Sequence, residues 1–402
     1  MLVAQASRLS NVRYDIRGPV LRRARQLEAA GHEIIKLNLG NPAPFGLDAP
    51  DDVLSDVVKH IPDAQGYSDA RGIQPAREAV ADFFGRRGVA VTPDDVFLGN
   101  GVSELIVMAL QALIDTGDEV LVPSPDYPLW TGAINLCGGR AVHYRCDEHA
   151  DWNPDLEHLA SQITDRTRAL VIINPNNPTG AVYSRETLLG MLELARERGL
   201  LVLTDEIYDQ IIYGGAVHFP AAALAPDLLV LTLGGLSKTY RLAGFRSGWL
   251  VISGPREHAA DYLDGLELLA NMRLCPNVPA QHAIPPALGG RVDITHLLEP
   301  GGRLRDQRDH AFRRMTAIPG VTCYQPDGAL YLFPRLDPEV YPIRDDEQMM
   351  IDLLEQQHLL LSHGSGFNLP TTDHLRLVFL ASVPVLDDAI GRLAAFLGGY
   401  HQ

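Results

Sequence analysis

One lysine in this sequence stands where a nucleophilic amine would be built. Lys238 follows the apolar segment Leu229–Leu233 and the small residues Gly234 and Gly235, and Arg246 lies eight residues further on. A lysine at a strand end, crowded by small residues and close to a fixed cation, is kept partly neutral, which suits Schiff-base chemistry with a carbonyl. Arg246 offers a permanently charged, fork-shaped donor that can hold a phosphate. Taken alone, the run is equally a strand followed by a basic turn. The rest of the chain has to decide.

The elements that would position these groups can be read from the apolar pattern. Strand candidates fall at Val96–Leu98, Glu119–Val122, Ala169–Ile173, Leu200–Thr204, Leu229–Leu233 and Trp249–Ile252, with helix-like segments such as Glu104–Leu113 and Arg185–Arg198 between them. Continuous β-branched and leucine runs separated by helices indicate an α/β domain whose sheet is covered on both faces. The C-terminal third has longer helical stretches and shorter strands, at Thr322–Tyr324, Ala329–Phe333 and Leu375–Phe379, and reads as a smaller α+β domain. The segment Gln26–Leu39 is expected to pack with it. The division expected is residues 1–45 as an N-terminal arm and part of the small domain, 46–290 as the large domain and 291–402 as the C-terminal small domain.

Open α/β sheets bind ligands beyond the carboxyl ends of their strands, and several polar groups fall there. After Val96–Leu98 comes Gly99-Asn100-Gly101-Val102-Ser103, which is either a turn with Ser103 capping a helix or a phosphate cradle of backbone amides at a helix N-terminus. After Ala169–Ile173 comes a Pro/Asn/Gly loop in which Asn177 can offer its amide to a ligand oxygen. After Leu200–Thr204 come Asp205 and Tyr208. The aspartate either caps a helix or holds a protonated ring nitrogen, as a pyridoxal ring requires of its protein. Each group alone has an ordinary structural explanation. Their convergence on strand ends, together with Lys238 and Arg246, does not.

Composition narrows the classes. The 402-residue chain has a net charge of −16, which argues against nucleic-acid and anionic-membrane surfaces, since both need positive patches. The cysteines Cys137, Cys146, Cys275 and Cys323 show no ligand-like spacing, so reduced thiols and no metal are expected. The first eight residues lack the apolar core of a signal peptide, and no run reaches about 18 apolar residues. The expectation is a cytoplasmic protein.

These residues resemble the fold-type I, pyridoxal-phosphate-dependent aminotransferases of class I/II along nearly the whole chain, from Tyr14-Asp15-Ile16-Arg17-Gly18-Pro19 to its end. The segments Leu37–Phe45, Pro123–Trp130 and Asn277–Ala283 are most similar to the bacterial alanine (glutamate–pyruvate) aminotransferases. The resemblance implies a mostly parallel seven-stranded sheet flanked by helices. It also implies that pyridoxal 5'-phosphate is bound through Lys238, which then shuttles the substrate's α-proton. Asp205 is matched to the partner of the pyridinium nitrogen, Asn177 and Tyr208 to the donors on the 3-oxygen, and Tyr127 to the ring that stacks on the pyridine. Gly101, Val102, Ser103 and Arg246 are matched to the phosphate site. Arg376 is matched to the fork on the substrate α-carboxylate, and Gly40 to backbone lining the substrate pocket. Tyr67 is matched to a tyrosine that reaches the neighbouring subunit's phosphate, which implies a homodimer with composite sites. One departure stands out: Gly235 occupies a position where many relatives carry a phosphate-binding serine, leaving Ser237 as a partial substitute.

The reaction implied is ping-pong transamination of an amino acid and a 2-oxo acid, with L-alanine and 2-oxoglutarate as the expected pair. Tyr14 and Arg17 are the candidates for the distal carboxylate of 2-oxoglutarate. Arg17 would act as a mobile cation on an N-terminal arm, or else it pairs with a surface acid. An aspartate, valine–pyruvate or aromatic aminotransferase and a carbon–sulfur β-lyase remain alternatives on the same fold. A ligand-sensing domain of a transcription regulator would need a basic DNA-binding module ahead of it.

Overall fold

The computed structural model describes residues 3–12 and 18–402; Tyr14 and Arg17 lie outside the described residues. The central element is a sheet of eight strands: β1 (Val96–Gly99), β2 (Glu119–Ser124), β3 (Arg140–Asp147), β4 (Asn153–Pro154), β5 (Thr167–Ile173), β6 (Leu201–Asp205), β7 (Val230–Gly235) and β8 (Gly248–Ser253). Their spatial order is β1-β8-β7-β6-β5-β2-β3-β4. The pairs β7–β6, β6–β5, β5–β2 and β2–β3 are parallel. β8 runs antiparallel to both its neighbours, and β4 is antiparallel to β3. Seven strands have four or more residues, as the resemblance implies, and the two-residue β4 makes the eighth.

All six strand candidates in this region form strands. The reading missed β3, whose burial alternates along its length and whose polar residues Arg140, His143, Arg145 and Asp147 interrupt any apolar run. The buried strands feed two cores at once because successive side chains point to opposite faces. In β5, Leu170 and Ile172 join one cluster while Ala169, Val171 and Ile173 join the other. Each fully buried side chain of this kind contributes roughly 1.5–3 kcal/mol, so register is strongly set.

A third cluster gathers the C-terminal residues with Val20, Ala24 and Leu37. Here a three-stranded antiparallel sheet forms from Tyr331–Leu332, Leu375–Val378 and Ser362–His363, flanked by the helices Arg303–Thr316, Asp346–Gln357 and Val383–Leu397. Ile35–Lys36 pairs in parallel with Leu359–Leu360, and the helix Pro19–Ala29 packs on Asp346–Gln357. Among the described residues no helix is long and apolar enough to cross a membrane.

Candidate active site

The strand order brings Ser103, Asn177, Asp205, Lys238 and Arg246 to one sheet edge. β1, β7, β6 and β5 all end there, and the antiparallel β8 begins there: Gly248 pairs with both Gly99 and Gly235. Arg246 therefore enters the edge just ahead of β8, beside the turn that closes β1. That turn passes through Gly101 (φ 84°), which is the N-cap of the helix Val102–Leu113. The left-handed φ favours glycine, and a Cβ on Gly101 would also collide with the Arg246 guanidinium. Ser103 is thus inside the first turn and is not the cap, so its hydroxyl is not spent on the helix. Glu104 fixes the turn instead, accepting from the Asn100 backbone N–H (2.7 Å) and side-chain amide (2.8 Å) and pairing with Arg273 (2.6 Å). The result is a helix N-terminus, a hydroxyl and a guanidinium around one point.

Gly235 has its own structural reason. A Cβ there would sit 2.9 Å from the Ser247 carbonyl oxygen and 3.0 Å from the Gly248 Cα, so any side chain at this position would press on the backbone that leads into β8. Ser237 is buried and lines the cavity described next.

Beyond the strand ends lies a cavity of about 450 Å³. It is lined by Gly40, Val102, Ser103, Tyr127, Asn177, Asp205, Tyr208, Ser237, Lys238, Arg246 and Arg376, eleven of the residues singled out in the sequence. Gly101 adjoins it through Arg246. Tyr67 does not line it and is 83% exposed.

Lys238 Nζ donates to the Gly40 carbonyl (2.7 Å), so the amine is held at the seam between the sheet edge and the N-terminal strand segment. Asp205, the last residue of β6, accepts from the indole N–H of the fully buried Trp130 (3.3 Å) and from the Ile207 backbone N–H (3.3 Å). It caps no helix, and among the described residues no cation lies within ion-pair distance of it. Burial pushes its carboxyl up to about 6, opposed by the Trp130 and Ile207 hydrogen bonds. A buried carboxylate in this condition is stabilised by a cation brought into the cavity.

The Asn177 loop is locked from within. Asn174 accepts from the Tyr183 backbone N–H (2.9 Å), and Asn176 accepts from both the backbone and the hydroxyl of Thr179 (3.2 and 2.8 Å). Asn177 is left to accept from Arg376 Nη1 (2.8 Å). Arg376 is 2% exposed, and its second terminal nitrogen donates to the Asn38 carbonyl. Its guanidinium lies 4.4 Å from the ring centres of both Tyr331 and Phe367. A buried cation held by carbonyl acceptors and two π faces keeps its charge and orientation. Tyr208 lies across the cavity with its hydroxyl bonded to that of Tyr331. Burial, together with the neighbouring Tyr331, pushes the Tyr208 phenol well above its ordinary range, so it stays protonated.

The sequence reading missed Trp130, Tyr331 and Asn38. Trp130 lies in the quoted Pro123–Trp130 segment, whose aromatic pair Tyr127 and Trp130 was the available signal. Tyr331 and Asn38 come from the distant C-terminal sheet and the N-terminal segment, where no strand-end motif marks them.

The model of the family "Aminotransferase class I and II" matches residues 32–393. The chain is a class I and II aminotransferase. This aminotransferase is 55% identical to the glutamate-pyruvate aminotransferase AlaA of Escherichia coli over 401 residues, covering 100% of this chain and 99% of that one. It is 58% identical over 405 residues to an alanine aminotransferase of Mycobacterium bovis, covering 99% and 94% of the two chains. It superposes on the crystal structure of an Escherichia coli aminotransferase with a TM-score of 0.99, at 54% identity and full coverage of both chains. Like its class, the aminotransferase depends on pyridoxal phosphate. The cavity fits that group on its own terms: a helix N-terminus and a guanidinium at Gly101–Ser103 and Arg246 for the phosphate, an amine at Lys238, and a buried carboxylate, Asp205, with no ion-pair partner among the described residues.

Proposed function

We propose that this enzyme transfers the amino group of L-alanine to 2-oxoglutarate, giving pyruvate and L-glutamate. The names of its relatives at 55% and 58% identity support that substrate pair. The observation that carries the reading is that one cavity is lined by Lys238, Asp205 and Arg376 together.

In this reading Lys238 holds the cofactor through Nζ, and Gly101, Val102, Ser103, Ser237 and Arg246 hold its phosphate. Tyr127 would hold the ring, and Asn177 and Tyr208 would hold its 3-oxygen. The bound pyridoxal phosphate supplies an electron sink for the carbon that loses its proton. Asp205 keeps that sink charged by holding a proton on the ring nitrogen. Arg376 grips the substrate α-carboxylate bidentately and so aims the α-hydrogen at the Lys238 amine. Lys238 Nζ, released when the substrate's amino group takes its place, would take that proton and hand it on, acting as the general base and then the general acid.

We also place Tyr14 and Arg17 near the distal carboxylate of 2-oxoglutarate, a placement that rests on the sequence. Arg17→Ala is expected to raise the KM for 2-oxoglutarate at least tenfold more than that for pyruvate; equal effects would remove it from that role. A homodimer is supported by the exposed apolar residues Val58, Ile61, Tyr67, Leu268 and Met272, on stretches joined by the Arg71–Glu267 pair. Tyr67, exposed in one protomer, would then serve the second protomer's phosphate site. The division into residues 1–45, 46–290 and 291–402 and a cytoplasmic location complete the reading; the four free cysteines accord with a reducing compartment.

The test is direct. Purified enzyme mixed with L-alanine and 2-oxoglutarate should form pyruvate with glutamate in equal amounts. Negligible pyruvate alongside turnover of aspartate, valine or an aromatic donor would overturn the substrate assignment.

A further inference from the structure

Tyr331 belongs to the C-terminal sheet, yet it touches both halves of the cavity. Its hydroxyl is hydrogen-bonded to that of Tyr208, 123 residues away, and the two rings meet edge to face at 5.7 Å. The same hydroxyl is pinned against Gly40, where a Cβ would come within 2.5 Å of the oxygen. Gly40 in turn presents the carbonyl that accepts from Lys238. The Tyr331 ring also carries the Arg376 guanidinium on its face, at 4.4 Å.

Either hydroxyl can be the donor in the shared hydrogen bond, and these contacts favour Tyr331. A cation on its π face draws electron density from the Tyr331 ring and makes its O–H the stronger donor. Tyr208 has one proton and lines the cavity. If Tyr331 donates to the Tyr208 oxygen, the Tyr208 proton is free to point into the cavity. An O–H that accepts a hydrogen bond also becomes a better donor, because chained hydrogen bonds polarise one another.

We propose that Tyr331 is a positioning residue whose hydroxyl donates to Tyr208, fixing and strengthening the hydrogen bond that Tyr208 offers to the cofactor's 3-oxygen. The proposal rests on the placement of Tyr208 given above. The better the charge on that oxygen is held, the lower the pH at which the Lys238 nitrogen bound to the cofactor gives up its proton. The ring and the hydroxyl of Tyr331 therefore do separable work: the ring supports Arg376, and the hydroxyl tunes Tyr208.

The experiment is a pH titration of the visible absorption band of the cofactor-loaded enzyme, in wild type, Tyr331→Phe, Tyr208→Phe and the double variant. Tyr331→Phe keeps the ring under Arg376. It should raise the titration midpoint by roughly half a pH unit and leave the KM for L-alanine within about twofold. Tyr208→Phe should raise the midpoint further, and the double variant should match Tyr208→Phe, since Tyr331 acts only through Tyr208. A wild-type midpoint in Tyr331→Phe, with a raised one in Tyr208→Phe, would overturn the relay alone. So would additive shifts in the double variant. A wild-type midpoint in Tyr208→Phe would overturn the placement of Tyr208 and the relay with it.

Discussion

Two clusters of partly or fully buried polar residues in this molecule end in opposite conditions. One is the cavity with Lys238, Asp205, Ser103 and Ser237. The other, where the turn after β3 meets the start of strand Leu375–Val378, contains Glu148, Arg335, Asp373 and His374. In the second cluster every charge has an opposite. Arg335 pairs with Asp373 (2.9 Å) and Glu148 (3.6 Å), and His374 lies between Asp373 (2.8 Å) and Glu148 (3.5 Å) with its ring stacked on Phe333 (5.0 Å). In the cavity Asp205 has no ion pair, and the Ser103 and Ser237 hydroxyls have no hydrogen-bond partner among the described residues. A cluster whose charges are paired ties elements together, whereas one with unspent bonding capacity is arranged for something that arrives. The two are also linked, since the paired cluster anchors the strand that carries Arg376.

This contrast predicts that substitutions in the cavity remove activity while sparing the fold, and that substitutions in the paired cluster do the reverse. The largest effect should come from Lys238→Ala, with kcat reduced by at least roughly 10⁴-fold because proton shuttle and cofactor attachment are lost together. The melting temperature without cofactor should stay near that of the wild type. Retained turnover in this variant would break the comparison at its centre. Arg376→Lys comes next: a point charge replaces a planar fork, and kcat/KM for L-alanine should fall roughly 10²-fold. An unchanged kcat/KM would show that the guanidinium supports the fold alone.

The smallest effect is on stability and depends on pH. Burial pushes His374 down, but its hydrogen bond to Asp373, with Glu148, outweighs this and raises it above its usual range. Burial pushes Asp373 up, but hydrogen bonds from His374 and Thr371 and the pairing with Arg335 hold it below the usual carboxylate range. A raised histidine adds stability that is complete below its unfolded value and is lost as pH rises through the folded one. A depressed carboxylate adds stability above its unfolded value and loses it as pH falls through the folded one. The cluster should therefore stabilise most between about pH 4 and 6.5. Glu148→Gln should lower the melting temperature at pH 6 by a few degrees and by less at pH 9, with kcat changed little. Equal losses at both pH values would remove His374 from the account.

Much of the cavity was legible because its groups follow apolar strands, and a strand end in an open α/β sheet is a known address. Lys238, Asp205 and Asn177 are each announced by the run before them. The strand β3 was hidden because an alternating, half-exposed strand carries its own polar residues. Tyr331 and Trp130 were hidden for a different reason: their partners, Tyr208 and Asp205, lie 123 and 75 residues away, and only the folded chain brings them together. The phosphate cradle was half legible. The glycine and the helix were expected, but that Gly101 caps the helix and leaves Ser103 unspent is a matter of backbone geometry.

The central claim is that the unsatisfied cavity is where the cofactor attaches, at one amine. The measurement is borohydride reduction of the enzyme loaded with pyridoxal phosphate, followed by peptide mapping by mass. A single phosphopyridoxyl label on the peptide containing Lys238, absent from Lys238→Ala, is the predicted result. A label on Lys36 or Lys59, or none on Lys238 under conditions where the enzyme is active, would contradict it.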